Sequence, residues 1–373
     1  MRNHRTAALA ILAAAVLATT TPALAQREPR TLGADPTVGV TRVATRGLNF
    51  LELGVGARAL ALGGAYTASA EGLFSLYWNA AGLADLEGIS AAASYQDLYE
   101  NSGLTNAFIA VGVPIGAGAF GVSLTRFSSG EIQRTTERFP DGNDPSFGST
   151  VEWIGSAVGV HYARRITDRL SFGVTGKLAE EGLDFAHARW VGADVGTVFR
   201  TGLLATTLGI AVSNLGGRSR MEGSAIERVL ASNVRDPLFP TTRELPASFK
   251  TQGLQMPTIF RFGLRTDLVG AAESLLAPNP SHSIVLLSEL NDAIDGPITP
   301  VLAVEYGFRN LVFLRGSKRW IREDRAPFDF GDGVAAGAGL RLPAFGRALW
   351  LDYAFQTLEP LGSSQTVSLE FSF

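Results

Sequence analysis

The sequence contains no cysteine, which excludes disulfides, thiolate metal sites and cysteine nucleophiles. Its histidines, His4, His161, His187 and His282, are scattered without metal-ligand spacing. No Gly-x-Ser-x-Gly elbow occurs, and in Gly155-Ser156-Ala157-Val158-Gly159 the serine stands in the wrong place for one. Gly54-Val55-Gly56-Ala57-Arg58-Ala59 imitates a dinucleotide fingerprint, yet no βαβ pattern surrounds it. The chain is therefore read as no enzyme, with no metal and no cofactor. Charge is sparse at 18%, and without a basic arm there is no case for nucleic acid. Long apolar runs are missing as well: beyond residue 25 none reaches the roughly 20 residues that a spanning helix needs.

What is present begins with an export signal. Arg2 and Arg5 precede an apolar run from Ala7 to Ala18, and Ala23-Leu24-Ala25 supplies small residues at cleavage spacing. Residues 1–25 are read as a signal peptide and 26–47 as a flexible N-terminal segment. Without Arg2 and Arg5 the 32 basic residues fall to 30, against 35 acidic ones, so the remaining chain is acidic.

Forty-two glycines and 46% apolar residues suit many short strands. A membrane protein built of strands must close into a barrel, because lipid offers no partner to a free sheet edge. From residue 88 to 373 the pattern is period-two alternation. Val367, Leu369, Phe371 and Phe373 oppose Thr366, Ser368, Glu370 and Ser372; Leu349, Leu351, Tyr353 and Phe355 oppose Trp350, Asp352 and Ala354; Phe260, Phe262 and Leu264 oppose Arg261, Gly263 and Arg265. One face suits lipid and the other a polar lumen. The expectation is an all-β, transmembrane, antiparallel barrel of about 14 strands in the outer membrane, both termini on the periplasmic side.

The links between these strands nearly alternate short and long, as periplasmic turns and extracellular loops do. Segment 182–188 is placed among the long loops, 214–257 is the largest and is read with a short helix over 225–230, and 269–281 is long where a short turn is expected.

Residues 48–87 are too apolar and glycine-rich to lie in water, and are read as a plug, or hatch, inside the lumen. Small inward residues, Gly173, Gly192, Gly196, Gly263, Gly307, Gly337 and Gly339, are expected to leave it room. The wording here, Gly56-Ala57-Arg58-Ala59, Gly63-Gly64-Ala65 and Leu76-Tyr77-Trp78-Asn79-Ala80-Ala81-Gly82-Leu83-Ala84, resembles the PorV/PorQ family. Further matches are Asn214-Leu215-Gly216, Val304-Glu305-Tyr306, Leu314-Arg315-Gly316 and Gly337 to Pro343 leading to Leu351-Asp352-Tyr353. Two departures are Ala80, where the family carries Pro, and Glu71-Gly72, where it carries one or two Asp.

That resemblance implies a barrel of the FadL type, the long-chain fatty-acid transporter class. It also implies a part in type IX secretion, with secretion components or cargo C-terminal domains as partners at the cell surface. The alternative is a FadL-like transporter of hydrophobic small molecules. The candidate residues are Gly56, Arg58, Gly63, Gly64, Tyr77, Trp78, Asn79 and Gly82 in the plug, and the lumen charges Lys177, Asp194, Arg261, Arg265, Glu305, Arg315, Arg341 and Asp352, with Glu370. The charges either lock the plug or line a solute path, and the cost of unpaired charge in a narrow barrel favours locking. Phe371 and the terminal Phe373 look like the signal read by the barrel assembly machinery. Outer-membrane lipid is the remaining expected partner.

Overall fold

The computed structural model describes residues 46–143, 145, 148–232, 243–321, 332–344, 347–358 and 361–373. The expected signal peptide, and the N-terminal segment as far as residue 45, lie outside the described residues.

Fourteen long strands form the wall: β1 (Ser90–Leu98), β2 (Leu104–Ile115), β3 (Gly118–Ser128), β4 (Trp153–Arg165), β5 (Leu170–Leu183), β6 (Ala186–Arg200) and β7 (Thr206–Gly216). The remainder are β8 (Ile259–Gly270), β9 (His282–Ala293), β10 (Ile298–Phe308), β11 (Val312–Arg319), β12 (Val334–Ala344), β13 (Arg347–Thr357) and β14 (Ser363–Ser372). Each is antiparallel to its neighbour in sequence, and β14 returns to β1 with Ser90 opposite Ser372 and Gln96 opposite Thr366. The sheet therefore has no free edge and satisfies its backbone within itself.

Closure agrees with the side-chain pattern. Along β14, Val367 (49% exposed) and Leu369 (43%) alternate with buried Thr366 and Ser368, and β13 and β8 show the same split. An exterior ringed by Val, Leu, Ile, Phe and Tyr is a lipid-facing surface, so the fold is that of a membrane-spanning barrel of the outer-membrane type.

One end of the barrel carries Ser90 and the C-terminus, and is called here the terminal end; the other is the loop end. Terminal-end connections are tight. In the turn from β10 to β11, Arg309 and Asn310 both have positive φ and the Leu311 N–H donates to the Phe308 carbonyl, as in a type I′ turn. The exception is 271–281, where Ala277–Pro278 folds back parallel to Val269–Gly270, so the excess length is used as an extra edge pairing.

Two expectations for the loop end are corrected. The segment 182–188 is no loop: β5 and β6 pair as far as Leu183 opposite Ala186, leaving a two-residue turn whose Asp184 takes φ 55°. The pairing of both strands continues through this segment to the turn, and so reads as loop in a count that stops them early. The helix expected over 225–230 is one 3-10 turn, Ser224–Ile226, followed by a strand, Glu227–Ser232, paired with Arg243–Ser248. Strand pairing across the loop overrides local helical preference.

Residues 47–88 lie within the ring of strands. They form four short helical pieces, Asn49–Glu52, Ala57–Ala61, Ser75–Trp78 and Ala80–Asp85. Leu48, Leu62, Leu73 and Leu83 are wholly buried. Pieces this short hold no helix alone, and what fixes them is burial against inward side chains around the ring.

Candidate functional site: the barrel interior

The sequence pattern of residues 54–82 is first a set of internal ties. Tyr77 Oη donates to the Leu51 carbonyl at 2.5 Å and accepts from the Gly54 N–H at 3.1 Å, and Trp78 Nε1 donates to the Val55 carbonyl at 2.9 Å. Asn79 caps the last helical piece through Ala81 N–H, while its amide donates to the carbonyls of Thr67 and Thr197. Gly56, Gly63 and Gly64 have positive φ; a side chain at Gly56 would strike Phe74, and one at Gly64 would press on Trp78. Gly82 lies so close to the Ala70 carbonyl that only hydrogen fits. These residues make 47–88 one folded body.

That body meets two kinds of wall. On the side of β8 to β14 it meets charge. Arg58 lies 2.9 Å from Glu305 and 3.0 Å from Glu71. Glu305 also takes Arg315 Nε at 2.6 Å, and Arg315 Nη1 reaches Asp352 at 2.5 Å, with the Arg315 side chain wholly buried. Arg265 closes the chain, 2.7 Å from Glu71 and 3.0 Å from Asp267. Partial desolvation opposes ionisation of the half-exposed Glu71, but Arg58 and Arg265 outweigh it and hold the carboxyl below its ordinary value. The segment's backbone is gripped too: Glu289 accepts from Thr67 N–H at 2.8 Å and from its hydroxyl at 2.9 Å, and Glu370 accepts from Leu73 N–H at 2.9 Å.

On the side of β2 to β7 it meets glycine. A side chain at Gly112 or Gly121 would strike the leucines Leu73, Leu76 or Leu83, one at Gly173 would overlap the backbone at Ala80, and one at Gly196 would overlap Asn79. Bare wall at these places lets the backbone approach.

Not every expected residue touches the segment. Lys177 pairs with Asp194 at 2.8 Å and donates to Asn214, binding wall to wall. Arg341 stacks over Trp350 at 5.3 Å near the terminal end, again within the wall. Arg261 does touch it, lying 5.2 Å over the Trp78 ring. Of the seven glycines expected to make room, Gly173, Gly196, Gly263 and Gly337 face the segment; Gly192 accommodates Met256, Gly307 faces Ser283 and Phe313, and Gly339 faces Asp352 and Arg315. Phe371 and Phe373 stack edge to face at 4.7 Å outside the barrel, where Phe373 N–H donates to the Ile89 carbonyl.

Sequence reasoning missed Glu181, Glu289, Gly112, Gly121, Gly155 and Gly209. Parity was the available signal: Glu289 shares its register with the buried Val285 and Leu287. His161 is buried in the inner wall between Ser123 and Thr175, 2.8 Å from each hydroxyl.

At the loop end the segment packs into an apolar cluster. Leu48, Phe50 and Leu51 cluster with Ala157, Ala179, Ala188, Trp190 and Met256. Phe50 stacks on Phe127 at 6.2 Å and lies where Gly155 leaves the wall bare. Leu48 is held at φ 62° by its N–H, which donates to Glu181 at 2.7 Å. Glu52, next to Leu51 in the chain, is pushed up to about 7; burial and then Asp295 raise it, and Arg261 pulls it down.

No family model matches the sequence, and no curated protein matches it. Solved structures do. The CymD monoaromatic hydrocarbon channel is 12% identical, with 86% of this chain and 98% of that chain covered at a TM-score of 0.51. The toluene transporter TbuX of Ralstonia pickettii gives the same identity, coverage and score. A TodX mutant, also titled a monoaromatic hydrocarbon channel, is 15% identical, with 86% and 99% covered at 0.51. At this identity the likeness shows a shared fold.

Proposed function

We propose that the protein is a FadL-like conduit for hydrophobic small molecules across the outer membrane, with residues 48–87 as its hatch. The observation that carries this is the apolar cluster at the loop end, where Phe50 and Leu51 of the chain's own segment are buried against Trp190 and Met256 of the wall and its loop. The solved structures of the same fold, titled a monoaromatic hydrocarbon channel and a toluene transporter, support the same reading. Release of ligand requires the segment to shift, and the segment's contacts to the charged wall set how readily it does so. The conduit performs no covalent chemistry.

The test is uptake. Cells carrying the protein in their outer membrane are expected to take up a labelled monoaromatic hydrocarbon faster than cells without it, and Trp190→Ala is expected to reduce the gain. Equal uptake with and without the protein sinks the proposal.

A second reading, an accessory role in type IX secretion, rests on the resemblance to the PorV/PorQ family as a whole, whose secretion-shuttle members diverge from the Gly63-Gly64-Ala65 and Tyr77-Trp78-Asn79 wording. In the structure these residues tie the segment to itself, which serves either role. Recovery of a secreted protein's C-terminal domain with the purified barrel would favour it.

A further inference from the structure

Three inward side chains carry oxygens, two amide and one hydroxyl, that find no hydrogen-bond partner among the described residues. Gln96 on β1, Asn106 on β2 and Thr366 on β14 are 3%, 2% and 1% exposed. Gln96 Oε1, Asn106 Oδ1 and Thr366 Oγ1 each lack a hydrogen-bond partner. The three are neighbours: Gln96 stands opposite Asn106 on one side and opposite Thr366 on the other. They form one row across three strands, with adjacent Cα atoms about 4.5–5.5 Å apart.

The orientation of Asn106 is fixed by the segment. Its Nδ2 donates to the Gly54 carbonyl at 3.1 Å, so flipping the amide would set two oxygens face to face. Oδ1 is therefore the free end, and Gly54, at φ 83°, brings its own carbonyl to the same row. No donor comes from the flanks, which are Ala354 opposite Thr366 and Phe127 opposite Asn106. Gln356, the nearest amide on β13, is already committed to the Leu60 carbonyl.

Buried acceptors in native proteins are almost always met, and a polar recess of this kind takes up water or an ion. One water has two protons to give and the Thr366 hydroxyl can supply one more, but no donor arrangement draws the lone pairs of all three oxygens to a single point. A cation is under no such limit. Hard divalent ions draw on carboxylates, and the row has none, whereas neutral amide, hydroxyl and carbonyl oxygens suit a singly charged ion.

We propose that Gln96, Asn106 and Thr366, together with the Gly54 carbonyl, bind a monovalent alkali cation, Na+ or K+, between the N-terminal segment and β14, β1 and β2. The ion ties the Gly54 turn to the barrel seam where the chain's two ends meet. The site is independent of what the barrel transports.

Purified protein in detergent is to be unfolded by heat in NaCl, KCl and choline chloride at matched ionic strength. A Tm several degrees higher in NaCl or KCl, saturating with concentration and absent in choline, is expected; whichever salt acts at the lower concentration identifies the ion. Thr366→Val is expected to remove the increment while leaving the choline value near that of the wild type. Should that variant fail to fold, a crystal of the wild type soaked in Tl+ decides, with an anomalous peak expected between the three side chains. Equal Tm in all three salts, or a Tl+ crystal with no peak at the row, overturns the proposal in favour of water alone.

Discussion

The two walls that enclose residues 47–88 hold them by opposite means. On β8 to β14 the grip is electrostatic, through Arg58, Glu71, Glu289, Glu305, Arg315 and Glu370. On β2 to β7 it is steric, through glycines that let Asn79, Ala80 and the leucines settle onto bare backbone. Charge in a dry interior is strong but all-or-nothing, because removing one partner strands the other. Contact through glycine is weaker and graded, because any added atom simply pushes. A segment that must stay seated yet be movable is served by having both, and the charged wall is the one that sets its place.

The sharpest way to break this contrast is Arg315→Met. It leaves Glu305 sharing only Arg58 and leaves Asp352 with no cation, both in a buried setting. Loss of a buried partner costs about 3–5 kcal/mol. Unfolding in denaturant, followed by tryptophan fluorescence, is expected to show a drop of that size. A loss under 1 kcal/mol would mean that the network is hydrated and the contrast between the walls is unfounded.

On the other wall the matching change is Gly173→Val, which puts branched carbon where the Ala80 backbone lies. Overpacking of this kind costs about 1–3 kcal/mol. The distinguishing readout is local: residues 73–88 are expected to become open to protease while the strands stay intact. Protection equal to the wild type would show that the segment does not rest on this wall.

How much of this was legible in the sequence follows from the period of two. An alternation in which Leu351, Tyr353 and Phe355 face out while Asp352 and Ala354 face in needs no tertiary information, so all fourteen strands could be placed from residues 88 to 373. The same parity put Glu305, Arg315 and Asp352 inside. It could not say which of them meet, because Arg315 and Asp352 lie 37 positions apart and touch across two strand pairings. Nor could it separate Gly173, which faces the segment, from Gly192, which accommodates Met256. Register fixes a face, whereas the partner on that face depends on how a folded segment elsewhere in the chain is seated. The turn at Asp184 was misread for a related reason: strand pairing runs on through the segment counted as loop.

Titration separates the ends of the segment. Glu52 has a raised value of about 7 against an ordinary 4.5, so its contribution to stability is fully present below 4.5 and is lost as pH rises through 7. Glu71 is lowered, so its contribution is present above 4.5 and is lost as pH falls through its folded value. Glu52→Gln is expected to flatten the fall in Tm on the alkaline side, and Glu71→Gln the fall on the acid side. Because both groups reach water, each change is expected to be smaller than that of Gly173→Val. A Glu52→Gln protein whose alkaline limb matches the wild type would remove Glu52 from the list of pH-sensitive contacts.

The smallest effect belongs to a second place where charge appears on the glycine side, besides the buried Glu181 that takes the Leu48 N–H. Asp85 ends the segment at the terminal end and reaches both Arg165, at 2.6 Å, and Arg200. All three side chains are 32% to 49% exposed, so water and salt screen them. Exposed pairs contribute about 0–1 kcal/mol, and Asp85→Asn is expected to fall in that range and to vanish in high salt. If Asp85→Asn instead costs as much as Arg315→Met, then the second wall is also held by charge, and the glycines are there only to let the segment reach it.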